Sequence, residues 1–145
     1  MATGDRNDPY NAFNFLVEID GVTVAGFSEC SGLTTETDIV EYRNGDEEIT
    51  VRKLPGLRKY TNIALKRGYT DSKELWDWRK KVIDGLTERK PGSITLLDEA
   101  RNPALTWNFR EGWPSKWEGP TFNAKNNEVA IETLEIAVEG LELET

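Results

Sequence analysis

The chain has 145 residues, an apolar fraction of 37% and a formal net charge of −8, which suits one domain able to bury roughly two thirds of its unfolded surface. It contains no histidine and a single cysteine, Cys30, so imidazole general bases, histidine metal ligation and an intrachain disulfide are all excluded. No run approaches the roughly 20 apolar residues of a spanning helix, and the first residues have neither the apolar stretch nor the basic flank of a secretory signal, so a soluble chain without a membrane anchor is expected.

Taken in order, residues 1–9 read as a flexible N-terminal arm. Phe13, Phe15, Val17 and Ile19 then alternate up to the turn pair Asp20-Gly21, and Val22 and Val24 resume the alternation, which predicts a hairpin. Ser28-Glu29-Cys30-Ser31-Gly32 reads as irregular. A second hairpin is predicted from Ile39 to Val51 around Asn44-Gly45. A two-residue turn there would set Glu41 against Glu48, a like-charge pair that a longer loop or a nearby cation would relieve.

Arg52 to Tyr60 reads as a basic connection in which Leu54-Pro55-Gly56-Leu57 breaks regular structure. A strand follows with Ile63 and Leu65 on one face, ended by Lys66-Arg67-Gly68. The one predicted helix starts at a capping-box pattern, Asp71 with Glu74, carries Leu75, Trp78, Val82 and Leu86 near the helical period, and stops at Asp84-Gly85.

Beyond it, Ile94 and Leu96 open a strand, Asn102-Pro103 marks a turn, and Leu105, Trp107 and Phe109 alternate in the next strand. Trp113-Pro114 and Gly119-Pro120 bracket a predicted loop whose Trp117 covers the end of a barrel or sandwich. From Val129 to Leu143 the apolar phase flips twice, which predicts bulges near Thr133 and Gly140 and an acidic outer face with Glu132, Glu135, Glu139, Glu142 and Glu144.

Charge is segregated: residues 1–51 hold eleven acids against two bases, 52–90 twelve bases against five acids, and 91–145 ten acids against four bases. Such blocks favour docking of one copy's basic surface on another's acidic one, unless folding mixes them. Little else suggests chemistry. Cys30 lacks a histidine to activate it and reads as a small apolar residue; Asp5, Asn7 and Asp8 depart from the calcium-loop pattern; Asp46-Glu47-Glu48 reads as a solvated hairpin tip and not as a glycosidase pair. The glycines form no phosphate cradle, and a pI near 4.7 argues against specific nucleic-acid binding. Trp78 belongs to the helix's apolar stripe, whereas Trp76 points away from it and is the better contact residue.

Read together, these elements resemble the tail tube proteins of contractile phage tails and phage-tail-like contractile injection systems. The resemblance runs through Asp8-Pro9-Tyr10, Phe13 to Gly21, Gly26 to Leu33, Glu41 to Gly45, Arg52 to Leu57, Ile63 to Gly68, Leu75 to Trp78, Leu105-Thr106-Trp107, Trp113-Pro114 and Asn127 to Glu132. Cys30 stands where an aliphatic residue is expected, and Ala64 where threonine is commoner.

The resemblance implies a mainly β, antiparallel barrel or sandwich with one flanking α-helix, similar to the tube proteins of type VI systems. It implies no enzyme activity and no cofactor, but hexameric rings stacked into a hollow conduit that sheath contraction propels. The implied partners are further copies, a sheath protein, baseplate tube initiators, a tube terminator or cap, and cargo in the lumen. Assembly in the cytoplasm as part of such a particle is implied, with release alongside the particle left open. Contacts between subunits and rings are then expected at Tyr42, Arg43, Asn44, Gly45, Arg52, Lys53, Leu54, Pro55, Gly56, Leu57, Arg58, Lys59 and Tyr60, with Glu132, Glu135 and Glu139 facing the lumen. A tube-initiating baseplate protein of the same fold is the related alternative; a monomeric β-sandwich binding module or carbohydrate-active enzyme is the unrelated one.

Overall fold

Val17 and Ile19 alternate with polar neighbours along β1 (Phe15–Ile19), and the chain reverses into β2 (Val22–Val24) with Ile19 opposite Val22 and Val17 opposite Val24. Asp20 has a φ of 55°, the left-handed geometry that tight hairpin turns use. The computed structural model describes residues 9–10, 14–20, 22–24, 26–43, 45, 51–125 and 129–144. Residues 1–8, Phe13, Gly21, Asn44 and the run Asp46-Glu47-Glu48 lie outside them, and with them most of the expected N-terminal arm and the carboxylate candidates.

The remaining elements are β3 (Phe27–Ser31), β4 (Thr35–Tyr42), β5 (Arg52–Tyr60), β6 (Ile63–Gly68), α1 (Glu74–Ile83), β7 (Lys90–Leu97), β8 (Pro103–Glu118), β9 (Ile131–Ala137) and β10 (Gly140–Glu144). Eight strands form one antiparallel array in the order β2-β1-β7-β8-β9-β6-β3, with β10 also on β8, while β4 and β5 pair only with each other. β8 serves both halves of the array: its first part pairs with β7 and β10, and Trp113 to Glu118 pairs with β9. Strands β2 and β3 end the order without meeting, so the architecture is sandwich-like and not a closed barrel.

Between the two halves lies one core. Val17, Ile19, Val24, Ile94 and Phe109 come from the first half, Ile63, Leu65, Leu134 and Ile136 from the second, and Leu75 and Trp78 from α1. Trp78 also donates its indole N–H to the Glu88 carbonyl at 2.8 Å, the usual way a buried tryptophan satisfies its polar end.

Several sequence expectations are corrected here. Ser28 to Ser31 is strand, because β6 supplies its ladder, with one irregularity between Phe27 and Glu29. Leu54-Pro55-Gly56-Leu57 does not break the chain but lies within β5; a two-stranded arm leaves β5 with a free edge, where proline is tolerated, and a register shift absorbs the glycine. Likewise Trp113-Pro114 continues β8. The Pro114 carbonyl accepts a 3.2 Å bond from Arg79 of α1, so proline's missing N–H lies on the side that faces the helix and not β9.

The helix begins without a capping box. Its N-cap position is Lys73, and Glu74 instead accepts from Ser72 Oγ and Arg67 Nη1, both at 3.2 Å. Leu86 is exposed because the helix has ended at Ile83 and Gly85, at a φ of 86°, turns the chain off the helical path. No bulge occurs near Thr133: β9 pairs with β6 in unbroken register, and Glu132 shares the buried face of Leu134 and Ile136. The inward glutamate, and not a bulge, produced the first flip of phase. The second flip is a true break, at Val138 and Glu139 before β10.

Candidate subunit interface

The hairpin of β4 and β5 is an arm that continues the β3–β6 ladder. Ser31 stands opposite Ala64 and Thr35 opposite Tyr60, so both ladders share one register across the interruption at 32–34 and 61–63. Gly32 makes that interruption: its φ is +89°, and a Cβ there would lie 2.1 Å from the Asn62 carbonyl oxygen. Its own carbonyl accepts from the Thr34 N–H at 2.8 Å and the Thr61 hydroxyl at 3.0 Å. Leu33 and Tyr60, both half-buried, pack against the core and anchor the arm's base.

Along the arm, Tyr42 faces Arg52, Glu41 faces Lys53, Val40 faces Leu54, Ile39 faces Pro55, Thr37 faces Arg58 and Glu36 faces Lys59. The connection is longer than two residues, and the register it imposes replaces the predicted Glu41 and Glu48 opposition with an acid facing a base. Lys59 Nζ also lies 3.0 Å from Asp38. Folding thus mixes the acidic first block with the basic second one inside the arm, although exposed pairs of this kind are worth only about 0–1 kcal/mol.

Directly opposed residues share a face. Ile39 with Pro55 therefore occupies one side of the arm and Val40 with Leu54 the other, and all four are exposed. Leu57, beside the register shift opposite Asp38, is 75% exposed. Neither face is covered. At Gly56 a Cβ would come within 3.1 Å of both the Asp38 carbonyl and a Val40 methyl group, a tight fit that these neighbours would have to ease by a few tenths of an ångström.

Of the expected contact residues, Arg52 to Lys59 and Tyr42 lie on this arm, Arg43 and Gly45 follow the end of β4, Asn44 lies outside the described residues, and Tyr60 serves the base. Sequence reasoning missed the first half of β4. The alternating β-branched run Thr35, Thr37, Ile39 was the available signal.

The acidic C-terminal set divides. Glu132 is 3% exposed and ion-paired with Arg67, so the expectation that it faces a lumen is corrected: Arg67 holds it inside the protomer. Glu135 is half-buried, with Lys116 Nζ 3.6 Å away, and Glu139 is exposed. Burial pushes the Cys30 thiol up to about 11, leaving it protonated and unreactive near neutrality. On the helix, Trp78 is core, whereas Trp76 is half-buried and packs on Trp117 with ring centroids 4.9 Å apart. No cluster of three or more potential metal ligands occurs among the described residues.

Solved structures share this fold. A chain of the sheath–tube complex of an extracellular contractile injection system, PVC, in its extended state superimposes with a TM-score of 0.86 at 27% identity, covering 94% of this chain and 92% of that one. A chain of the anti-feeding prophage tube-terminating cap gives 0.84 at 27% identity, covering 100% and 99%. Hcp1 from Flavobacterium johnsoniae, at 18% identity and a TM-score of 0.57 over 90% and 94%, shares the fold. Comparison with curated protein sequences returned no match. The profile of the T4-like virus tail tube protein gp19 family matches residues 11–142, and the chain belongs to that family.

Proposed function

We propose that this protein is the inner-tube subunit of a contractile injection system or phage tail, that six copies close each ring, and that rings stack into a hollow conduit. The observation that carries the reading is the β4–β5 arm, whose apolar residues are uncovered on both faces in a chain of tail tube family. A solitary protomer with such an edge would invite uncontrolled pairing, and an assembly that covers both faces removes the hazard.

Head-to-tail contacts close rings when the rotation closes and extend as filaments when it does not; a tube uses both. The arm supplies the second kind of contact. Similarity to chains of a sheath–tube complex and a tube-terminating cap supports a sheath and a cap as partners, with a baseplate at the other end. The role is mechanical, and no side chain is assigned catalysis. Assembly in the cytoplasm as part of the particle follows from this role. Glu139 and the exposed edge of Glu135 are candidates for a polar lumen that would not retain passing cargo.

Negative-stain electron microscopy of the purified protein, alone and co-expressed with a sheath protein, tests the proposal. Rings or tubes of uniform diameter are expected. A monodisperse monomer under every condition would overturn it.

A further inference from the structure

The β4–β5 arm has two outward edges, because among the described residues each strand pairs only with the other. Their charges are complementary: β4 carries Glu36, Asp38 and Glu41, and β5 carries Arg52, Lys53, Arg58 and Lys59. Both also carry exposed apolar side chains, Ile39 and Val40 on one strand, Leu54 and Leu57 on the other. The β5 edge of one copy therefore suits the β4 edge of a second. Such pairing is head-to-tail and leaves a fresh edge at each end, so it has no natural stop.

The two edges differ in their backbones. β4 has neither proline nor glycine from Thr35 to Tyr42, whereas β5 has both, side by side at Pro55 and Gly56. Ile39 stands directly opposite Pro55. Proline has no N–H to exchange across that pair, so the pair is of the non-hydrogen-bonded kind and the backbone groups of both residues point outward. On the β5 edge that outward position lacks a donor; on the β4 edge Ile39 keeps one. Beside it, Gly56 and Leu57 together stand opposite Asp38, since Arg58 already faces Thr37. The extra residue makes a β-bulge, which bends and twists the edge that carries it.

We infer that Pro55 and the Gly56–Leu57 bulge close the β5 edge to the β4 edge of a second copy, so that arms cannot grow edge to edge into an open sheet. With β5 closed, edge pairing between arms is confined to β4 against β4. That pairing is self-complementary, leaves only closed edges outside, and brings two acidic strands together. The inference does not depend on the tube reading, since it concerns the arm of a single protomer before any assembly.

The test compares the full wild-type chain with Pro55→Thr, with Pro55→Thr plus deletion of Gly56, and with that bulge-free form carrying Ile39→Pro as well. The first change restores the outward donor, the deletion removes the bulge, and Ile39→Pro takes the outward donor from the opposite edge. Thioflavin T fluorescence, with electron microscopy to tell fibrils from tubes, gives the lowest concentration at which each forms cross-β aggregates. Pro55→Thr should lower it about threefold and the bulge-free form about tenfold, and adding Ile39→Pro should return it to the wild-type value. Aggregation caused by misfolding would not be relieved by a further proline, so the rescue separates edge pairing from loss of the fold. Unchanged thresholds for both Pro55 variants, or aggregation that Ile39→Pro does not relieve, would overturn the inference. Tube formation is read separately, from microscopy of the wild type.

Discussion

Arg67 of β6 donates through Nε to Glu132 of β9, 65 residues away, and both side chains are almost wholly buried. The pair is tied on both sides: Trp117 Nε1 donates to Glu132 Oε2 at 3.1 Å, and Arg67 Nη1 reaches Glu74 at the start of α1 at 3.2 Å. Nη2 is buried without a hydrogen-bond partner among the described residues, with the guanidinium 5.7 Å from the centroid of the Phe27 ring. One ion pair thus ties together α1, β6, β9 and Trp117 of β8.

Removing Glu132 leaves the buried Arg67 guanidinium with only the half-exposed Glu74 as counter-charge. Glu132→Gln is expected to cost about 3–5 kcal/mol of folding free energy, while the double variant Arg67→Met with Glu132→Leu recovers most of it. Urea unfolding of the three proteins checks this; equal stability of Glu132→Gln and wild type would refute it.

Two glycines with nearly the same positive φ should respond differently. Gly85→Ala, at a φ of +86° with open space around it, should cost about 1–2 kcal/mol for the left-handed conformation alone. Gly32→Ala adds a collision with the Asn62 carbonyl and should cost clearly more. Thermal unfolding ranks them.

Arm residues should separate stability from assembly. Ile39→Ser and Val40→Ser lie on opposite faces of an exposed hairpin, so each should leave the isolated chain within about 0.5 kcal/mol of wild type. Each should also shorten or abolish tubes, because each face is expected to be covered by another copy. Calorimetry and microscopy on the same samples check both halves of the expectation.

The Cys30 thiol gives a pH signature. Its pKa is raised by burial from 9.0 to about 11, so between those values the unfolded chain has lost a proton that the folded chain keeps. Stability from this group is present below pH 9 and is lost as pH rises toward 11. Relative to Cys30→Val, the wild type should lose stability across that window, and its thiol should react slowly with iodoacetamide at pH 7.5 until urea unfolds the chain. Rapid modification of the folded protein would contradict the burial argument.

The strand parities of β1, β6 and the first half of β8, the hairpin turn at Asp20 and the helix with Trp78 inward were all legible in the order of residues, because each rests on short-range periodicity or turn chemistry. The family resemblance needed only motif order. What periodicity could not show is where a strand is made by its partner: β3 exists against β6, β5 runs through Pro55 and Gly56 because β4 pairs with it on one edge only, and β8 continues past Trp113-Pro114 because β9 and α1 take up its backbone. Glu132 was misread for the same reason. A carboxylate in an acidic segment looks solvated until a guanidinium distant in the chain is placed beside it. Local propensity therefore set the elements, while the pairing of remote backbones and the burial of one opposite charge by another, both long-range energies, decided how they join and left both faces of the arm uncovered.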